Sequence, residues 1–236
     1  MAGGSGQRMH DELPKQFIVV DDAPVIVHTL RTFEDHPMID EIAIVCIEDR
    51  REQMQNLVQQ YGLEKVTHIF AGGETSHHSI SNGIRGLVAA GCSATDVILV
   101  HDGVRPLITP RIISENIRVC REKGNAVTVV KGSESFLYST DGISSDTYYP
   151  RESMYKVQTP HTFCLSHIVE ALDEADRRQL IGQSLYVLMA ELGKYPFYFV
   201  AGEQRNFKLT YPEDLVFLEI FLKENQNTEN IEMKDK

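Results

Sequence analysis

Apolar, β-branched runs alternate with amphipathic ones along most of this chain. Residues 42–47 form a continuous apolar run with the length of a strand buried on both faces. After it, residues 50–61 place Met54, Leu57, Val58 and Tyr61 at helical spacing. The alternation continues with a short strand at 67–70, a helix at 79–90, a strand at 96–100, a helix at 110–122 and a strand at 125–130. It resumes with helices at 165–175 and 184–192, a strand at 197–200 and a last helix at 212–224. Strands separated by helices predict an α/β fold, a mostly parallel, Rossmann-like sheet with helices on both faces.

Between Lys131 and Gln158 the pattern breaks. Ser, Thr, Asp, Gly and Tyr dominate, and apolar residues alternate only in pieces such as Phe136-Leu-Tyr138. This predicts a β-arm leaving the main sheet, and arms of that kind commonly pack on a second subunit, so a homodimer through residues 131–158 is expected. Residues 225–236 are polar and read as a frayed tail, which leaves residues 1–224 as one domain.

Composition narrows the class. With 236 residues, 42% of them hydrophobic, the chain can bury one large core. No apolar run approaches the roughly 20 residues of a membrane-crossing helix and no signal-peptide pattern stands at the start, so a cytoplasmic protein is expected. The four cysteines, Cys46, Cys92, Cys120 and Cys164, are scattered singly and read as buried thiols. A net charge of -11 argues against nucleic acid as a partner. Any cation cluster in so acidic a chain then acts locally.

One such cluster opens the chain. Gly3, Gly4 and Gly6 can take positive φ and bring backbone N–H groups close to a ligand, while Arg8 and Lys15 add fixed positive charge. No Gly-Lys-Ser/Thr follows and Gly-x-Gly-x-x-Gly is not completed, so this is neither a Walker loop nor a dinucleotide fingerprint. A phosphate site and a flexible tail remain the two alternatives. A glycine loop of this kind usually leaves the carboxyl end of a strand, yet only Met1 and Ala2 precede Gly3, so a central strand is expected to be missing there or shortened to almost nothing. A second candidate follows the strand at 96–100, where His101, Asp102 and Arg105 stand at its carboxyl end, the ligand side of an open α/β sheet. Asp102 there suits a ribose hydroxyl or a divalent metal, although Asp and Pro also form turns. Around Thr210 and Pro212 the sequence has helix-start grammar, which leaves Lys208, just upstream, unexplained.

Together, Gly3-Gly-Ser-Gly-Gln-Arg-Met9 with Pro14-Lys-Gln16, Gly72-Gly73 with Ser79, His101-Asp-Gly-Val-Arg-Pro106, Gln158-Thr-Pro160 and Asn206-Phe-Lys-Leu-Thr210 resemble the cytidylyltransferases that join CTP to a sugar-alcohol phosphate. That family includes the methylerythritol-4-phosphate enzyme of isoprenoid synthesis and the ribitol-5-phosphate enzyme of teichoic-acid and capsule synthesis. The resemblance implies a nucleotidyltransferase sheet and the reaction CTP + polyol phosphate → CDP-polyol + pyrophosphate. It implies that Arg8, Lys15 and Lys208 neutralise the triphosphate during transfer, and that the CTP site includes Ala2, Gly3, Gly4, Gly6, Gly72, Gly73, Ser79 and Asp102. It also implies that Asp102 holds Mg²⁺ or another divalent cation, and that Arg105, Ser135, Arg151 and Thr159 hold the acceptor, Arg151 across a dimer interface.

The departures fall mainly on the acceptor side. Ser76 stands where the family carries a basic residue, with His77 or His78 as a partial substitute; Gly182-Gln183 replaces a Thr-Asp pair, and Glu134-Ser135 replaces Asp-Thr. Val104, the run Ile108–Ile117 and Met154-Tyr155 resemble the ribitol branch. D-ribitol 5-phosphate is therefore the expected acceptor, with 2-C-methyl-D-erythritol 4-phosphate as the alternative and a catalytically impaired nucleotide-binding homologue as a third reading.

Overall fold

A computed structural model of the chain describes residues 1–3, 13–193 and 196–234, with the backbone alone for 225–234. Its elements run β1 (Val19–Val20), β2 (Ala23–Pro24), α1 (Val25–Glu34), β3 (Ile42–Cys46), α2 (Arg51–Gln60), β4 (Val66–Ala71) and α3 (Ser76–Ala89). Then come β5 (Val97–Val100), α4 (Pro110–Lys123), β6 (Asn125–Lys131), β7 (Phe136–Tyr138), β8 (Thr147–Tyr149) and β9 (Tyr155–Cys164). The chain closes with α5 (Leu165–Arg178), α6 (Leu185–Leu192), β10 (Phe199–Ala201) and α7 (Glu213–Lys234).

The larger sheet has the order β10-β6-β9-β5 and the smaller pairs β3 with β4. β10 runs parallel to β6 and β3 parallel to β4, whereas β9 runs against both β5 and β6. β5, β6 and β10 therefore share one direction, and helices pack on the sheet as the alternation predicts. Met1 and Ala2 lie between the two sheets. Ala2 makes a parallel bridge to Cys46 and donates its N–H to the Val45 carbonyl at 2.7 Å. On the other side the Met1 nitrogen donates to the His101 carbonyl at 2.7 Å, and the Gly103 N–H donates to the Met1 carbonyl at 2.8 Å. Ahead of Gly3 there is thus a single parallel bridge in place of a strand.

Besides the short pair β1 and β2, two longer elements escape the hydrophobic pattern. α1, which the sequence pattern does not assign, opens on three β-branched residues, Val25-Ile-Val27, and these with His28, Thr29, Leu30 and Phe33 are buried, so the helix is enclosed nearly all round. β9 reads as loop because Gln158, Thr159, His161 and Thr162 are polar and Pro160 interrupts it. These side chains are nonetheless buried, and a core network accounts for part of this: Thr162 Oγ1 donates to Asn116 Oδ1 at 3.1 Å, Asn116 Nδ2 to Thr128 Oγ1 at 2.9 Å, and Thr128 Oγ1 to the Pro160 carbonyl at 2.9 Å. Buried hydroxyls paired in this way carry little penalty, so composition alone misreads them.

Boundaries shift at several places. α3 begins at Ser76 rather than 79, because Thr75 caps it by accepting the His78 N–H at 3.2 Å. The tail expected to fray continues α7 to Lys234, a stretch free of Gly and Pro. The last strand lies at Phe199–Ala201. The arm forms as expected: β7 and β8 pair antiparallel with Phe136 opposite Tyr149, and Leu137 and Tyr148 are 73% and 69% exposed. Cys46 and Cys120 are buried and all four cysteines are free. Among the described residues no helix is long and apolar enough to cross a membrane.

Candidate active site

Three chain segments meet at the carboxyl end of β5. The strand delivers His101 and Asp102, the middle of β9 delivers Gln158 and Thr159, and the loop after β10 delivers Asn206 and Lys208. Asp102 is their centre. Its Oδ1 accepts from Lys208 Nζ at 3.1 Å, its Oδ2 from Arg105 Nε at 3.0 Å, and its own N–H donates to Thr159 Oγ1 at 3.1 Å. Arg105 is fixed further by donating Nη1 to the Asn206 carbonyl at 2.9 Å, and Asn206 Nδ2 donates to the Thr159 carbonyl at 3.1 Å. Gln158 Nε2 closes the ring of contacts on the Glu203 carbonyl at 2.8 Å.

The electrostatics follow from this packing. Burial alone would raise the Asp102 carboxyl, but Lys208 and Arg105 outweigh it and hold the group well below the usual carboxylate range. His101 is pushed the other way, down to about 3, chiefly because its ring is buried. Its tautomer is fixed by its neighbours. Nε2 lies 3.3 Å from the Arg105 carbonyl, which can only accept, so Nε2 carries the proton and Nδ1 accepts the Thr159 hydroxyl at 3.0 Å. His101 is therefore a neutral strut that orients Thr159, a role its place in the sequence does not reveal.

Lys15 enters from the other side. It is buried, 7% exposed, and donates Nζ to the Leu209 carbonyl at 2.6 Å, one residue beyond Lys208. Gln16 next to it donates Nε2 to the Ala2 carbonyl at 2.9 Å, so the two ends of the glycine loop are tied together at its base. Arg8, Gly4 and Gly6 lie outside the described residues. The Gly72-Gly73 pair meets the first turn of α3: Gly73 N–H donates to Ser79 Oγ at 3.0 Å, and a Cβ placed on Gly3 would come within 3.5 Å of the same oxygen. Gly73 is required by close approach, since a Cβ there would lie 2.4 Å from that of His78.

The two histidines beside Ser76 divide. His77 is buried and accepts the Gly182 N–H on Nδ1 at 3.3 Å, which spends it on the neighbouring loop. His78 is exposed, with Nδ1 3.2 Å from Thr75 Oγ1, and is the one that can face a ligand. Arg151 and Ser135 are not gathered at Asp102: Arg151 pairs with Glu152 at 3.2 Å on the surface, and Ser135 begins the exposed arm. Val104 is 7% exposed in a cluster with Leu107 and Leu209, so it is a packing residue.

A cleft of about 540 Å³ opens beside Lys208, lined by Arg105, Lys156, Arg205, Thr210 and Tyr211 along with aromatic rings from the start of α7. Cations around a single carboxylate, with a glycine loop at hand, suit a nucleotide's phosphates.

Residues 1–224 match the family described as IspD, 2-C-methyl-D-erythritol 4-phosphate cytidylyltransferase. A ribitol-5-phosphate cytidylyltransferase of Lacticaseibacillus paracasei is 34% identical over 229 residues, covering 96% of this chain and 97% of its own. A 2-C-methyl-D-erythritol 4-phosphate cytidylyltransferase of Lachnoclostridium phytofermentans is 34% identical over 230 residues, covering 96% of both chains. Among solved structures, the 4-diphosphocytidyl-2C-methyl-D-erythritol synthase of Anaerococcus prevotii superposes with a TM-score of 0.79 at 25% identity, covering 94% of this chain and 93% of that one. The 2-C-methyl-D-erythritol 4-phosphate cytidylyltransferase of Thermus thermophilus superposes with a TM-score of 0.73 at 25% identity, covering 94% of this chain and 96% of that one. With the Asp102 hub, the glycine loop base and the full-length matches all in place, the chain belongs to the IspD family and is a cytidylyltransferase.

Proposed function

We propose that this cytidylyltransferase uses D-ribitol 5-phosphate as acceptor, giving CDP-ribitol and pyrophosphate. The carrying observation is the cleft beside Lys208, where Lys156 and Arg205 offer charge to a phosphate and Thr210 and Tyr211 offer hydroxyls to a polyol chain. An oxygen of the acceptor phosphate attacks the α-phosphorus of CTP in line; the new P–O bond forms as the bond to the β-phosphate bridge oxygen breaks, and pyrophosphate leaves with that electron pair. Lys15 and Lys208 neutralise charge gathering around the α-phosphate, with Arg8 as a further cation. A phosphate dianion is already a nucleophile, so no protein base is required.

Asp102 fits a role in holding Mg²⁺: it offers hard carboxylate oxygens. Among the described residues no group of three His, Cys, Asp or Glu could hold a metal alone, so triphosphate oxygens and water would complete the shell. The ion would supply further neutralisation of the phosphates. We also place Arg151 and Ser135 at the acceptor of a partner subunit, through a homodimer formed by the arm, in a cytoplasmic enzyme.

Pyrophosphate release with CTP, Mg²⁺ and each acceptor tests the assignment. D-ribitol 5-phosphate should be used with kcat/KM at least about tenfold above that of 2-C-methyl-D-erythritol 4-phosphate, a margin that one or two hydrogen bonds supply. The full-length match to the Lachnoclostridium phytofermentans enzyme favours the second acceptor, and a reversed ratio would assign it.

A further inference from the structure

Two buried carboxamides stand behind the Asp102 hub, and the proposed chemistry uses neither. Asn206 is 0% exposed and Gln158 1%. The Asn206 Nδ2 group donates to the Thr159 carbonyl at 3.1 Å and to Gln158 Oε1 at 3.4 Å, and Gln158 Nε2 donates to the Glu203 carbonyl at 2.8 Å. The pair therefore stitches the loop after β10, at residues 203 and 206, to the middle of β9. Gln158 is tightly seated, since a Cβ on Gly202 would lie 2.3 Å from its Oε1.

The orientation of the Asn206 amide is fixed by its partners. Turned over, it would set Oδ1 against the Thr159 carbonyl and Gln158 Oε1, three acceptors with no proton among them. As it stands, Oδ1 is buried and finds no hydrogen-bond partner among the described residues. An unpaired buried acceptor costs about 1–3 kcal/mol, which offsets much of what the donated bonds contribute to stability. The larger effect of this amide is the geometry it imposes.

That geometry bears on Lys208. Two residues upstream of it, Asn206 is pinned to β9 by its side chain and to Arg105 by its own carbonyl, which accepts Nη1 at 2.9 Å. One residue downstream, the Leu209 N–H donates to the Val104 carbonyl at 2.9 Å. Lys208 is thus held between two anchors on different segments, with Nζ 3.1 Å from Asp102 Oδ1. Its side chain is 42% exposed, so packing alone does not aim it. We infer that Asn206 is a positioning residue, its carboxamide locking the loop of residues 203–208 to β9 with Gln158 as a brace, so that the Lys208 ammonium is aimed at the reacting phosphate. The inference rests on the role proposed for Lys208 at the α-phosphate. A cation that must meet charge developing at one phosphorus needs a fixed stem, because a misplacement of about 1 Å can cost about a hundredfold in rate.

The test measures kcat and the KM for CTP in Asn206→Asp, Lys208→Ala and the double variant, with Tm recorded for each. Asn206→Asp keeps the shape and replaces the donor with a second acceptor. It should lower kcat by at least about tenfold while the KM for CTP changes by less than about threefold, the split expected when an interaction of the transition state is lost. In the Lys208→Ala protein the same substitution should change kcat by less than about twofold, because the residue it aims is gone. Gly202→Ala adds no charge, displaces the Gln158 amide and should lower kcat by at least about threefold, again only when Lys208 is present. It decides the matter if Asn206→Asp does not fold. Additive losses in the double variant, a loss confined to the KM for CTP, or an unchanged kcat in the folded variant would overturn the inference. An unchanged kcat in Lys208→Ala would instead remove the role of Lys208 and this inference with it, whereas a lowered one beside an unchanged Asn206→Asp removes this inference alone.

Discussion

At the residue scale, the two lysines of the site separate. Lys208 has a side chain 42% exposed and contacts one oxygen of Asp102, which keeps Arg105 when Lys208 is removed. Lys208→Ala should therefore lower kcat by about a hundredfold or more, as loss of a charge aimed at the transition state does. Its Tm should stay close to that of the unaltered protein, measured in the same preparation. Lys15→Ala should lower both, because the buried Leu209 carbonyl loses its donor at a cost of about 1–3 kcal/mol. Two buried histidines set the acid limit of stability. His101 and His161 have folded pKa values of about 3 and about 4 against an ordinary 6.5, in each case chiefly through burial. Depressed values mean that the stability is complete above pH 6.5 and is lost as pH falls toward 4, because the unfolded chain takes protons the folded one refuses. The slope approaches about 2.7 kcal/mol per pH unit for two such groups. A Tm flat between pH 7 and 5 would contradict the assignment. Asp102 and Arg105 were legible in the sequence because they stand at the end of an apolar strand, and Lys208 because helix-start grammar leaves it unexplained and the family resemblance takes it up. The burial of Lys15 and the different duties of His77 and His78 were not, since both depend on segments distant in the chain: Leu209 in one case, Gly182 in the other.

At the element scale, α3 makes the glycine pair of the expected CTP site, Gly72-Gly73, stereochemically strict. Gly73→Ala puts a methyl 2.4 Å from His78 Cβ, on the first turn of the helix, so the loop must move away from Ser79. The expected outcome in steady-state kinetics is a KM for CTP raised by about tenfold with a smaller change in kcat, the pattern of lost uniform binding. Thr75→Ala should lower stability by about 1 kcal/mol, read by denaturant unfolding, because the His78 N–H loses its cap. The α/β alternation was legible wherever amphipathic helices followed apolar strands, as at β3 and α2. It failed at α1, a helix buried nearly all round and therefore without an amphipathic period, and at β9, whose hydroxyls and amides are buried and hydrogen-bonded. The second failure matters more, because β9 carries Gln158 and Thr159 into the site. Polar character there signals an internal network, which only the fold brings together.

At the scale of the whole molecule, the arm and the site share one strand, since β9 begins at the base of the arm and passes through Thr159 on its way to Cys164. If the arm forms the subunit contact, Leu137→Glu, at a position 73% exposed, should yield monomers by analytical ultracentrifugation. The same variant should raise the acceptor KM more than the CTP KM, because Arg151 serves the partner's acceptor in that assembly. The locked His101 reaches further. With its pKa near 3, His161 near 4 and Asp102 held well below the usual carboxylate range, these three groups neither gain nor lose a proton between pH 5 and 8. Over that range these three groups leave the pH–rate profile to the molecule the enzyme acts upon. Log kcat/KM for the acceptor should climb with unit slope below about pH 6, where a phosphate monoester takes up its second proton, and level off above it.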